Sequence, residues 1–319
     1  MWILNQLQTR RNDAKWDDFD RLSCYLLLKY LDKDTQATVK LEQSKAAVYR
    51  NDTEGSLKLM DEAFTLIPQA LNVHLLAARG FGYRAGVARR LSNLGEADYF
   101  MQLAEQNDRA CHTSLDTSYI AYEKASVLLD FIGLSPQRSI RQVNEALHNL
   151  EKCIDVCLRM EMENSCICVQ RHHFAFVKIA MLLLDCRTDV ARERVLSKEL
   201  IANSQECLNT LKKKYWSDIT EGLKIQFHLA SSDLEYRRGN YIEAERFATL
   251  AKDKAEELGF NSEISLAQER LNYTCVLARR EGIGNDVRPS QASLASASEG
   301  ENGDVSSSGS ESDWLQNLE

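Results

Sequence analysis

The sequence predicts an all-α protein. Only three prolines are present, at Pro68, Pro136 and Pro289, so long stretches contain no residue that breaks a helix. The good helix formers Leu, Ala, Glu, Lys, Arg and Gln fill those stretches. There is no convincing run of alternating β-branched residues, which would indicate a strand. With 319 residues, 44% of them hydrophobic, the chain also has ample material for a buried core.

The spacing of the apolar residues predicts about a dozen helices before residue 282. We expect them at about residues 13–31, 35–50, 53–68, 118–131, 140–160, 169–186, 197–216, 222–238, 241–258 and 262–280, with a further pair around a turn at 93–97. Asn51-Asp52 forms a turn, Thr53 caps the helix that follows it, and Pro68 ends that helix.

The clearest pair of helices is joined by Gly239-Asn240, two residues that tolerate a left-handed helix end. Tyr241 then opens a second helix, on which three small residues and one aromatic recur at three- and four-residue spacing. They are Ala244, Phe247, Ala248 and Ala251. Small residues on such a stripe let two helix backbones approach closely. The segment therefore predicts two antiparallel helices joined by a tight turn.

This pattern resembles the tetratricopeptide repeat, in which Gly-Asp/Asn-Tyr-x-x-Ala, an aromatic and a second Ala mark the turn and the second helix. Residues 44–68 and 81–108 are similar to it as well. The resemblance implies an α-solenoid of antiparallel helical hairpins over residues 35–281, with an N-terminal capping helix in residues 1–34.

The spacing of the repeats departs from this family. The small residues on the turn side are Ser56, Ala97, Ala146 and Ala244, which are 41, 49 and 98 residues apart. The family's repeat is about 34 residues long. We therefore expect long and irregular repeats.

Residues 282–319 form a distinct acidic tail. They hold seven of the 47 acidic residues and one of the 39 basic residues, so the net charge of −8 leaves −2 for residues 1–281. Residues 290–313 are mostly Ser, Gly, Ala, Glu and Asp, which bury too little apolar surface to fold. We expect a disordered tail.

Two features of the tail suggest regulation. Each of four serines has an acid three residues later, which suits acid-directed kinases: Ser296, Ser298, Ser308 and Ser310. Phosphorylation adds roughly −1.5 to −2 charges per site. Trp314, Leu315 and Leu318 form a short apolar edge at helical spacing, which could dock into a groove of a partner or of this protein. The alternative is a tail that only adds solubility.

The cysteines and the N-terminus predict a cytoplasmic protein, with the nucleus as the alternative. Nine cysteines are an odd number, and most of them lie in apolar helical stripes, which favours reduced thiols. Residues 1–11 lack the apolar core of a signal peptide. No stretch approaches the ~18 apolar residues that cross a bilayer, so we expect no membrane contact.

A basic segment that contains glycines covers residues 79–90. On a helix, one stripe holds Arg79, Gly82, Gly86, Arg89 and Arg90. Glycines inside a helix cost roughly 1 kcal/mol each, so their presence calls for a reason. In one interpretation the stripe is an uncovered surface, edged by positive charges, to which an acidic peptide or a phosphate binds. In the other, the glycines allow tight helix packing and the arginines beside them are solvated. Tight packing is favoured, and the stripe is the candidate binding groove.

Six potential zinc ligands lie close together in the sequence: Cys153, Cys157, Cys166, Cys168, His172 and His173. None of the usual Cys-x-x-Cys pairs occurs among them, and Cys is a common small core residue on such stripes. We therefore expect core packing and no metal.

The motifs of common enzymes are missing. The sequence contains no His-Glu-x-x-His, no phosphate-cradling loop and no Gly-x-Ser-x-Gly elbow. We expect no catalytic residues and no cofactor. The predicted function is a non-enzymatic scaffold or adaptor that binds a partner peptide or helix in a groove, as the tetratricopeptide resemblance implies.

The alternative function is RNA binding. It rests on a similarity to interferon-induced tetratricopeptide proteins, which hold RNA ends in a basic internal pocket. Residues 1–281 have a net charge of only −2, which argues against a broad basic surface that binds the phosphates along an RNA strand. A single pocket around residues 79–90 stays open as a possibility at this point.

Overall fold

The computed structural model describes the backbone of residues 2–161 and 166–286, and the side chains of residues 2–160 and 169–279. Within these ranges the protein is all-helical and has no strand, as the sequence predicts. The α-helices are α1 (Trp2–Asn12), α2 (Trp16–Lys29), α3 (Lys33–Tyr49), α4 (Thr53–Leu66), α5 (Val73–Arg90), α6 (Leu94–Arg109), α7 (Leu115–Leu134), α8 (Ile140–Glu161), α9 (Cys166–Leu184), α10 (Asp189–Arg192), α11 (Lys198–Thr210), α12 (Glu221–Arg238), α13 (Tyr241–Leu258) and α14 (Asn261–Asp286). A 3₁₀ turn (Ile67–Gln69) follows α4, and a π-helical turn (Leu211–Tyr215) follows α11.

The helices pack in neighbouring pairs. α3 packs against α4, α5 against α6, α7 against α8, α9 against α11, and α12 against α13. The second helix of several pairs buries small residues, which are Ser56 and Ala63 on α4, Ala97 and Ala104 on α6, Ala146 and Cys153 on α8, and Ala244, Ala248 and Ala251 on α13. The hydroxyl of Ser232 on α12 donates to the carbonyl of Ala244 at 2.8 Å, so these two backbones approach closely.

The turns after α3, α5 and α12 share one backbone conformation. Asn51, Ser92 and Gly239 adopt the left-handed region, with φ of 65°, 60° and 79°. In the first two turns the next residue caps the following helix. Asp52 and Asn93 accept hydrogen bonds from backbone N–H groups in its first turn, at 2.8 and 3.3 Å. The turns predicted after α3 and α12 are confirmed, but the cap predicted at Thr53 is wrong, because Asp52 occupies that position.

The N-terminus differs from the sequence prediction. The helix expected at about residues 13–31 is present as α2, but a further helix, α1, precedes it, and Ala14 between them has a φ of 59°. The prediction missed α1 because part of its buried face is polar. Gln8, Arg11 and Asn12 are buried there beside Leu4 and Leu7, so no apolar stripe marks the helix.

The start of α2 contacts the junction of α13 and α14. The indole N–H of Trp16 donates to the carbonyl oxygen of Leu258 at 2.7 Å. The rings of Trp16 and Tyr49 both meet the buried ring of Phe260 edge-on, with centroids 5.2 and 5.5 Å apart. These contacts hold residues from the two ends of the helical body together.

The contacts group Met1–Ile283 into one compact unit, and a second unit begins at Gly284. None of the described helices is long and apolar enough to cross a membrane. The predicted phosphorylation sites and the predicted docking edge of the tail lie outside the described residues: Ser296, Ser298, Ser308, Ser310, Trp314, Leu315 and Leu318.

The small residues of the α12–α13 pair generate a stability prediction. Ala248→Leu inserts extra methyl groups where the backbones are close, so we expect the free energy of unfolding to fall by about 1–3 kcal/mol. Ala202 on α11 is exposed, and Ala202→Leu is the control, with an expected change within about 0.5 kcal/mol. Urea denaturation measures both, and equal effects would contradict close packing at Ala248.

Candidate functional site

The carboxylate of Glu42 on α3 is buried at 0% exposure and accepts from two other helices. Arg11 of α1 forms an ion pair with it, and Gln8 of α1 donates to it at 3.0 Å. The hydroxyl of Tyr83 on α5 donates at 2.5 Å. A buried carboxylate is tolerated only when a charge partner and hydrogen bonds replace its water shell. Glu42 therefore fixes α1 against α3 and α5.

Helix α1 also contacts α9, which lies in the middle of the chain. The side-chain amide of Asn12 donates to the side-chain oxygen of Gln170 at 2.9 Å. Arg171 donates to Gln8 at 3.4 Å and to the hydroxyl of Ser118 on α7 at 2.8 Å. Helix α1 thus lies against the first helices of several pairs, through these polar groups and through the apolar packing of Leu7 with Val39 and Ala46 of α3.

The arginines of the predicted stripe on α5 are all paired with carboxylates. The pairs are Arg79–Asp116, Arg89–Glu123, Arg89–Asp130 and Arg90–Glu263, with N–O distances of 2.7, 3.0, 3.1 and 2.9 Å. Three of these carboxylates come from α7 and the fourth from α14. The expectation of solvated arginines is wrong, because both helices supply carboxylates to α5.

The glycines of the stripe are covered by α7. A Cβ atom at Gly82 would lie 2.9 Å from the ring of Tyr119, and one at Gly86 would lie 3.2 Å from a carboxylate oxygen of Glu123. The hydroxyl of Tyr119 also donates to the carbonyl of Gly82 at 3.3 Å. This stripe of α5 is therefore covered, and its glycines allow close packing of α5 on α7. Whether the stripe binds a partner stays a prediction.

Two lysines lie beside these ion pairs, and sequence analysis singled out neither as a binding residue. The ammonium of Lys45 on α3 is 3.4 Å from the hydroxyl of Tyr119. The ammonium of Lys178 on α9 lies 5.2 Å from the ring centre of Tyr122. Within the described part of the chain, neither ammonium has a carboxylate oxygen within 4.0 Å. A signal for Lys178 was available, because it interrupts the apolar run of residues 174–184.

The charges around Glu123 keep its carboxylate ionised. Burial alone would raise the pKa of Glu123, but Arg89, Lys45 and Lys178 outweigh burial and lower it to about 2. Arg89 donates directly to this carboxylate at 3.0 Å. Glu123 therefore acts as a fixed negative charge, and not as a proton donor at neutral pH.

A second buried ion pair joins α12 to α14. Both oxygens of Asp233 accept from Arg270, at 2.9 and 2.7 Å, and the hydroxyl of Tyr273 donates to one of them at 3.2 Å. Arg237, on the same helix as Asp233, donates to five carbonyl oxygens at the end of α9 and around α10: Leu184, Asp185, Ala191, Arg192 and Arg194. These contacts are structural, because the guanidinium of Arg237 uses all five of its N–H donors inside the protein.

Four of the six candidate zinc ligands have described side chains. Cys153 and Cys157 are buried, as predicted, and so are His172 and His173. The ring of His173 is 4.4 Å from that of Tyr215, centre to centre. The side chains of residues 166 and 168 lie outside the described residues. Among the side chains that are described, no group of three or more His, Cys, Asp or Glu residues could hold a metal ion.

Glu42 generates a prediction on stability. Glu42→Leu leaves Arg11 buried without a partner, so we expect a loss of about 3–5 kcal/mol. The double variant Arg11→Met/Glu42→Leu should recover most of that loss, because no charge then remains buried. Asp18→Asn breaks an exposed pair with Arg21 and should cost less than about 1 kcal/mol. Urea denaturation of the variants checks this. A double variant that is no more stable than Glu42→Leu would contradict it.

A buried histidine, His173, and a half-buried one, His228, generate a prediction on pH. Burial lowers the pKa of His173 and of His228 to about 4. His172 lowers the pKa of His173 further, while Asp218 opposes the shift. Cations also surround His228, namely Lys254, Arg246 and Lys212. The unfolded chain binds protons at each histidine near pH 6.5, whereas the folded chain does so only near pH 4. Stability is therefore lost progressively as the pH falls from about 6.5 towards 4.

Melting temperatures between pH 7.5 and pH 4.5 check this dependence. His173→Phe and His228→Phe should each flatten the loss on acidification, because each removes one site that takes up a proton on unfolding. The exposed His112 gives the control, and His112→Phe should keep the wild-type slope. A wild-type slope in all three variants would contradict the assignment.

No protein-family model matches this chain. No curated protein matches it either. Its function can therefore be inferred only from the residues, contacts and charges described above.

Proposed function

We propose that this chain is a non-enzymatic scaffold that binds a peptide or helix of a partner protein. In this proposal the helix pairs form an irregular α-solenoid of the tetratricopeptide type, and the partner binds to the face built from the first helices of the pairs. Such stacks present extended surfaces on which short segments of other proteins dock.

The contacts of α1 carry this proposal. This helix is bound by α3, α5 and α9, through Glu42, Tyr83, Gln170 and Arg171. The first helices of the pairs therefore already recognise a helix with an apolar edge and polar side chains. A partner helix of the same chemistry would find the same kinds of donors and acceptors on this face.

The seams and turns of the helix pairs support the proposed repeat type. The second helices bury Ala97 and Ala104 in one pair and Ala244 and Ala251 in another, at the seven-residue spacing of the repeat motif. Gly239 adopts the left-handed conformation that the motif needs at its turn. These features concern the architecture, and the binding role follows from it by the resemblance.

RNA binding by residues 79–90 receives less support from the charges. All four arginines of that segment are paired with carboxylates, including Arg84 with Asp61. A guanidinium that already binds a carboxylate must lose that bond before it can bind a phosphate. We therefore favour a protein partner.

The tail enters the proposal as a regulated segment. Phosphorylation of Ser296, Ser298, Ser308 or Ser310 would increase the negative charge of the tail. The edge formed by Trp314, Leu315 and Leu318 would then dock on a partner or on this chain.

Affinity purification of the full chain from RNase-treated cell extract tests the proposal, with mass spectrometry of what is recovered. We expect a protein in near-equal amount to the bait. Hydrogen exchange of the purified complex should then show protection on α3, α5, α7, α9 or α12, because these helices form the proposed binding face. The second helices α4, α6 and α13 serve as the internal comparison.

Recovery of RNA in place of a protein would contradict the proposal, and so would protection confined to the second helices. Trp314→Ala in the same purification tests the tail separately. A partner recovered in unchanged amount with this variant would remove the tail from the proposal and leave the scaffold intact.

A further inference from the structure

Eight charged side chains from five helices and one loop meet in the interior, and we call them the central ion cluster. Its members are Lys45, Arg89, Arg90, Glu123, Asp130, Lys178, Arg187 and Glu263. Arg89 links Glu123 to Asp130, and Arg187 pairs with Asp130. Arg90 pairs with Glu263, which also accepts from Gln226 at 2.5 Å.

The cluster holds five cations and three carboxylates, an excess of two positive charges. The neighbouring pair Arg11–Glu42 is neutral and does not reduce this excess. The composition of residues 1–281 does not explain it, because their net charge is −2. The positive charge is therefore concentrated at this place in the fold.

The excess resides on Lys45 and Lys178. Lys178 is 7% exposed and contacts the ring of Tyr122, and Lys45 lies over the rings of Tyr83 and Tyr119 at 5.3 and 5.4 Å. A ring face stabilises a buried cation by less than the removal of that ion from water costs. These contacts alone do not balance the two ammonium charges.

The pKa values of the two lysines agree with this imbalance. Burial lowers the pKa of Lys178 to about 7, Arg187 and Arg89 lower it further, and Glu123 opposes them. Burial likewise lowers the pKa of Lys45 to about 8, against the pull of Glu123. Both ammonium groups therefore lack the compensating negative charge that the arginines of the cluster have.

Part of the cluster reaches solvent. Lys45, Tyr49, Arg90 and Tyr122 are partly exposed, and Lys178 is buried. A small ion can therefore reach Lys45 from solvent, and the flexible stem of each lysine lets its ammonium group move towards a bound ion.

We propose that the central ion cluster binds a phosphate-class oxyanion, either inorganic phosphate or the phosphate of a small monoester, between Lys45 and Lys178. A phosphate monoester carries roughly −1.5 to −2 charges at neutral pH, which two protonated lysines can balance, and the anion in turn favours the protonated form of each lysine. The lysines supply ammonium donors, and the hydroxyl of Tyr119, 3.4 Å from Lys45, lies at the same place. This inference does not rest on the binding of a protein partner.

Isothermal titration of the full chain with inorganic phosphate, at constant ionic strength set with chloride, tests the site. A nucleoside monophosphate is titrated in parallel. We expect saturable binding of one anion per chain, and the tighter of the two ligands identifies free phosphate or a monoester as the natural source. Lys45→Met and Lys178→Met should each weaken binding about ten-fold or more. Lys58→Met, at an exposed position of α4, should bind like the wild type.

A melting experiment separates binding from a purely structural role. Without phosphate, Lys178→Met should melt at or above the wild-type temperature, because it removes a buried charge that has no partner. Phosphate should raise the melting temperature of the wild type and of Lys58→Met, but not that of Lys178→Met. The proposal fails if the wild type binds neither ligand saturably, or if both interior lysine variants bind as tightly as the wild type.

Discussion

The buried carboxylate of Glu42 is the interaction on which the position of α1 depends. It accepts from Arg11, Gln8 and Tyr83, so helices from three separate parts of the sequence share one charge. Without that carboxylate, Arg11 would be a buried cation with no partner, which costs about 3–5 kcal/mol. Because α2 follows α1 directly, the same anchor also determines where Trp16 meets the α13–α14 junction.

The parts of the fold that sequence analysis predicted are those with local signals. Gly239 at the α12–α13 turn and the small residues Ala244, Ala248 and Ala251 lie within 13 residues of one another, and helical periodicity connects them. Helix α1 has no such signal. Its buried residues include Gln8 and Arg11, whose partners lie 34 and 31 residues away, and polar residues on a helix normally indicate a face in solvent.

In the candidate site too, sequence analysis predicted residues that have a local pattern and missed the distant residues that pair with them. Arg89 and Arg90 were singled out because arginines and glycines recur on one stripe of a helix. Their partners could not be inferred, since Glu123 lies 34 residues and Glu263 173 residues along the chain. The stripe that could have been an uncovered basic surface is therefore a set of arginine–carboxylate ion pairs. The residues left with excess charge are then Lys45 and Lys178, on helices that sequence analysis did not connect.

An unpaired buried lysine is a poor device for stabilising a helical stack. A methionine of similar volume would fill the same space beside Tyr122 without the cost of desolvating a charge. The neighbouring seams, such as those at Ala97 and Ala248, follow the ordinary rules of helix packing, so the departure is local. Departures of this kind concentrate at functional sites, because binding requires groups that the fold alone does not satisfy. A bound anion would supply the charge that Lys45 and Lys178 lack, and this explains two lysines that packing does not.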